Sequence, residues 1–194
     1  MYEGVITELG SFELTGTVLR ISDPCYDRDV WCCGTVQDCF PGTWEASVLT
    51  KDEGSWGHRI SVLTARHVTG PKHTAINCGV CDRSGTWSTC DFEVGVDSGQ
   101  AGIFDEAHYQ DITIFEPGTK CEHEFGDIWY SFCCDLTLSS LHAGVLPYGA
   151  VASSGYGDGS YECTAHRNAE HQVDFVVIVF IDDDEEDESE DDEE

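Results

Sequence analysis

The sequence predicts a mainly β chain, an antiparallel sandwich or partly open barrel carrying one or two short helices. Three observations predict it. Apolar runs of strand length, rich in β-branched and aromatic residues, recur along the chain. Gly, Pro, Asn, Asp and Ser separate nearly all of them. Finally, 194 residues with 40% hydrophobic content suffice to bury one core and fit one domain better than two.

Taken in order, the strand-like runs are residues 12–21, 44–50, 59–68, 90–96, 149–153, 161–166 and 173–181. Two places have helical character. Residues 104–109 suit a single turn. Residues 127–138 bring Ile128, Phe132, Leu136 and the pair Cys133-Cys134 near one face at helical spacing. Asp158-Gly159, between two of the runs, has the chemistry of a tight hairpin turn. The domain is expected to span residues 1–181, followed by a disordered acidic tail, 182–194, which has no apolar surface to bury.

Charge narrows the partners. Of the 38 acids, twelve fall in the tail, and the remaining 26 still face only nine bases. Such a surface repels phosphate backbones and anionic lipid, so neither general nucleic-acid binding nor membrane binding is expected. A basic protein partner or a small ligand fits better. The start of the chain lacks the basic and apolar regions of a secretory signal, and residues 175–181 are too few to cross a bilayer, which points to the cytoplasm. Eleven cysteines, an odd number that includes the adjacent pairs Cys32-Cys33 and Cys133-Cys134, read as reduced thiols in that compartment.

Several phrases occur in a fixed succession: Ile21-Ser22-Asp23-Pro24-Cys25-Tyr26, Pro41-Gly42-Thr43-Trp44, Trp56-Gly57-His58-Arg59, Val96-Asp97-Ser98-Gly99-Gln100-Ala101-Gly102-Ile103-Phe104-Asp105, Trp129-Tyr130 and Ser153-Ser154-Gly155-Tyr156-Gly157-Asp158-Gly159-Ser160-Tyr161. In this order they resemble the DUF4241-like family of uncharacterised bacterial and bacteriophage proteins, over about residues 12–181. The resemblance implies a β-rich domain in a bacterial or phage-infected cytoplasm and assigns no reaction or residue roles. Residues 71–90 depart from the pattern.

The candidate ligand-binding residues are Asp23, Tyr26, Asp97, Ser98, Gln100, Asp105, Tyr156 and Asp158. If the sheets gather them, Asp23, Asp97, Asp105 and Asp158 would supply oxygen ligands or an acid/base pair. The same residue types also cap and bend backbone without doing chemistry. His73, Cys78, Cys81 and Cys90 offer the four soft ligands of a structural zinc, or are plain thiols. No other cofactor is implied. Lys51, His58, Arg59, Arg66, His67, Lys72, His73 and Arg83 concentrate positive charge, and Arg59 and His67, sharing one face of a regular strand, are the anion-binding candidates.

A trypsin-like reading of Ala65-Arg66-His67 and Asp97-Ser98-Gly99 fails. Arg66 and Gln100 break the motifs, and the interval cannot hold two barrels with the third catalytic residue between them. The function expected is therefore a non-enzymatic module that binds a small ligand or a protein partner. The alternatives are a metal-assisted hydrolase or transferase using Asp23, Asp97, Asp105 or Asp158, and an acidic mimic of nucleic acid acting through the tail.

Overall fold

The computed structural model describes residues 4–71 and 86–182. In chain order the strands are β1 (Val5–Leu14), β2 (Leu19–Ser22), β3 (Gly34–Val36), β4 (Gly42–Asp52), β5 (His58–His67), β6 (Thr86–Thr89), β7 (Val94–Val96), β8 (Gln100–Asp105), β9 (Ala143–Leu146), β10 (Gly149–Ser153), β11 (Gly159–Arg167) and β12 (Val173–Val179), with one α-helix, α1 (Ile128–Thr137). All ladders between these strands are antiparallel. They form two sheets: β1-β4-β5-β12-β11-β6, with β7 added along the start of β11, and β3-β2-β8-β10-β9. The architecture is a β-rich sandwich without barrel closure, as the turn-punctuated runs predict.

The core lies between the sheets. Trp44, Ala46 and Val48 alternate inward from β4, and Leu19, Ile21, Ala101, Ile103, Ala150 and Ala152 meet them from the second sheet. The other face of the second sheet is also covered, because α1 packs across it. Trp129 and Cys133 of α1 sit against Phe104, Tyr109, Leu146 and Val151. The Phe104 ring in turn lies over Gly102 and Gly149, leaving no room for a Cβ at either. Asp127 starts the helix by accepting the Tyr130 N–H at 2.9 Å, and Leu138 ends it. The fully buried helix residues are Trp129, Ser131, Cys133, Cys134 and Thr137, so Ile128, Phe132 and Leu136 flank the contact face rather than forming its centre.

Several expectations need correction. Residues 12–21 do not form one strand: the chain leaves the first sheet after Leu14 and enters the second at Leu19. Asp105 fixes that crossing by accepting from the Thr15 N–H at 2.9 Å and its hydroxyl at 2.5 Å. Residues 90–96 keep only β7 as a strand, and the run 173–181 ends its strand at Val179, although Phe180 and Ile181 still donate their N–H groups to the Ser61 carbonyl. Asp158-Gly159 is not a hairpin turn. β10 and β11 belong to different sheets, and the bend between them is made by Ser154 through Gly157, where the Gly157 N–H reaches the Ser154 carbonyl at 2.8 Å and Gly155 and Gly157 take positive φ. In the stretch 104–109 only Glu106–His108 turns, as a 3-10 helix capped by Asp105.

His73, Cys78 and Cys81, with Lys72 and Arg83, lie outside the described residues, as does the tail beyond Asp182. No helix among the described residues is long and apolar enough to cross a membrane.

Candidate functional site

The phrase around Asp23 and the phrase around Ser98 do meet. Asp23 is fully buried at the end of β2, and its carboxylate accepts four hydrogen bonds. Cys25 N–H (2.8 Å) and the Ser98 hydroxyl (2.6 Å) reach Oδ1, while the N–H groups of Asp97 (2.9 Å) and Ser98 (2.8 Å) reach Oδ2. One buried anion thus gathers three backbone donors from two loops, the arrangement that makes a buried carboxylate structural. Cys25 stands at the rim of this knot, and desolvation together with the Asp23 carboxylate pushes its thiol up to about 12. Cys25 is therefore a poor nucleophile.

Two of the other acids are similarly engaged. Asp158 accepts the Gly99 N–H at 3.0 Å, which brings it to the same loop. Asp105 does not join them. It sits at the far end of β8, and its carboxylate is taken by Thr15 and by the Ala107 N–H at 3.0 Å. Asp97 is exposed beside the Tyr26 phenol, whose pKa is raised by partial burial and by hydrogen bonding to Asp97 and Cys32. Gln100 is buried in the seam under α1, where its amide donates to Cys134 Sγ at 3.4 Å and accepts from the Thr137 hydroxyl at 3.1 Å. Tyr156 is exposed, edge-on to Trp56 with centroids 6.0 Å apart, and its hydroxyl donates to Glu53 at 2.5 Å. Among the described residues, no three His, Cys, Asp or Glu side chains are placed to hold a metal ion.

Beside the Ser98-Gly99 loop the surface opens into a groove of about 470 Å³. The start of β5 supplies His58, Arg59 and Ile60; the loop supplies Ser98 and Gly99; the end of α1 and the turn after it supply Thr137, Leu138, Ser140, Leu141 and His142. Thr7, Thr50 and Ser153 complete the wall. Among the described residues, hydroxyls, two imidazoles and one guanidinium line it, and no carboxylate does, in a chain of net charge -29. Arg59 is oriented by its Nε, which donates to the Trp56 carbonyl at 3.0 Å. His142 is held at φ 53° by the turn, with Nδ1 3.3 Å from the Thr137 carbonyl. No family model, no curated protein and no solved structure matches the chain.

Arg59 and His67 do not share a face. β5 carries an extra residue at Ser61, since Leu49 opposes Val62 while Thr50 opposes Ile60. The bulge resets the alternation, so Ile60, Leu63 and Ala65 all point into the core. His67 continues that inward series. It is buried between Phe40 and Trp44, with Nδ1 2.7 Å from the Thr69 hydroxyl. The Ser98 hydroxyl donates to Asp23, whereas the His67 imidazole pairs with Thr69. Burial holds the His67 imidazole below its ordinary 6.5, against the opposing influence of Asp174, Pro41 and Glu13. The unfolded chain then takes up this proton more readily than the folded protein. The associated stability is fully present above the unfolded value and is lost as pH falls below it. Urea midpoints measured from about pH 7.5 down to about pH 5.5 should therefore decline more steeply in the wild type than in His67→Gln.

Cys90 is paired with a cysteine outside the zinc set: its Sγ lies 3.7 Å from Cys163 Sγ. That contact holds the Cys90 thiol below its usual range and raises that of the buried Cys163.

Proposed function

We propose that this chain is a non-enzymatic binding module, and that its ligand is a small molecule presenting a carboxylate or phosphate to the groove of Arg59, His58 and His142. The observation that carries this reading is the groove's lining, which among the described residues is free of carboxylates in a strongly acidic chain. A guanidinium anchored through Nε keeps its remaining N–H donors for an acceptor. Surrounding hydroxyls supply further hydrogen bonds, and Leu138 and Leu141 offer an apolar flank. The acidic exterior opposes long polyanions while a local positive site still holds a compact anion.

The hydrolase alternative loses its groups. Asp23, Asp105 and Asp158 each accept a backbone N–H, which leaves Asp97 as the candidate acid whose carboxylate is not engaged in that way.

Thermal unfolding of the full chain in the presence of inorganic phosphate, citrate or a mononucleotide tests the proposal. At least one should raise the midpoint progressively with the logarithm of its concentration, by about 2.7 kcal/mol of stability at a hundredfold excess over Kd. Arg59→Gln should weaken that ligand roughly tenfold to a hundredfold, the range expected for losing a charge-assisted hydrogen bond. Equal shifts in wild type and variant would place binding elsewhere.

A further inference from the structure

We propose that Cys90 and Cys163 form a reversible oxidation site, a thiol pair that hydrogen peroxide closes into a cross-strand disulfide at the β6 end of the first sheet. Thr164 opposes Thr89 in the β11–β6 ladder, and one step further Cys163 opposes Cys90, with the Cys90 N–H donating to the Cys163 carbonyl at 2.9 Å. Directly opposed residues of an antiparallel pair share a face. Their Cα atoms lie about 5.5 Å apart when hydrogen-bonded, within the span a disulfide bridges. The sulfurs are already 3.7 Å apart, so side-chain rotation rather than backbone movement closes the bond.

The two thiols differ in access. Cys163 is fully buried, whereas Cys90 is half-buried and lines a groove of about 640 Å³. An oxidant from solvent therefore meets Cys90 first. Asp91, Glu93, Glu162 and Asp182 border the same groove, so anionic oxidants such as glutathione disulfide are repelled while neutral peroxide enters.

The chemistry balances without a cofactor. Cys90 sulfur attacks one peroxide oxygen, the O–O bond breaks, and the released hydroxide takes the thiol proton to leave as water, giving Cys90 sulfenic acid. Cys163 sulfur then attacks Cys90 sulfur. The S–O bond breaks, and the departing hydroxide leaves as water with the Cys163 proton. Two thiols are oxidised, one peroxide is reduced, and two waters form.

Peptide mapping of the full chain after equimolar hydrogen peroxide tests the assignment. The expected product is the Cys90 peptide linked to the Cys163 peptide, with loss of two hydrogens, restored by dithiothreitol. In Cys163→Ala, the expected product is Cys90 sulfenic acid captured by dimedone, and the wild-type map decides alone if that variant does not fold. Three results would overturn the proposal: the exposed Cys25 oxidising before Cys90, a Cys90 linkage to any other cysteine, or both thiols remaining free. None of these outcomes depends on the groove around Arg59.

Discussion

Asp23→Ala is expected to lower the free energy of unfolding by about 4 kcal/mol, the larger of the two main stability effects relative to the atoms removed. The substitution strands the N–H groups of Cys25, Asp97 and Ser98 and the Ser98 hydroxyl, all of which now end on one buried carboxylate. Each stranded donor costs about 1–3 kcal/mol, and water entering the vacated space recovers part of the sum. Asp23→Asn should cost about half as much, since its amide oxygen still accepts on one side while its NH2 opposes donors on the other. Urea unfolding of the three proteins measures this series. A loss below about 1 kcal/mol in the alanine variant would mean that the carboxylate is not the pin between these loops.

Trp129→Ala is expected to cost about 3–5 kcal/mol. Its ring is 2% exposed and meets Phe104 and Tyr109 at centroid distances of 5.2 and 5.0 Å, so its removal empties the contact that fastens α1 to the second sheet. The damage should be directional. Amide exchange in α1 should quicken well before exchange in β4, β5 and β12, whose side chains pack against the opposite sheet. Uniform loosening of both sheets would show that the helix is integral to the main core instead.

Much of this architecture is legible in the sequence, and the failures have identifiable causes. The helix is clear because Asp127 is a good N-cap and the apolar spacing holds to Leu138. β10 is clear because a turn bounds each end. β8 is hidden, since Gln100 through Asp105 are all buried: a strand covered on one face by the first sheet and on the other by α1 has no reason to alternate. β3 and β6 are only three and four residues long, too short to show a period.

The candidate site divides in the same way. The sequence offers Asp23 and Ser98 as ligand candidates that the sheets could gather, and they do meet, but a carboxylate that binds ligands and one that binds backbone N–H groups are the same residue in a sequence. The bulge at Ser61 leaves no mark on composition, yet it decides that Arg59 and His67 part company. Nothing local in the sequence distinguishes His142. Only the turn after α1 brings it to the groove of His58 and Arg59.

The side-chain nitrogen resonances of Arg59, His58 and His142, followed by NMR as inorganic phosphate or citrate is added, interrogate the groove itself. Saturable shifts at these three residues, with the amides of Asp97 and Ser98 still locked to Asp23, are the expected result. Shifts absent from the groove and concentrated instead at Asp97, particularly if they require a divalent cation, would contradict the binding-module reading and restore the aspartates as the working groups.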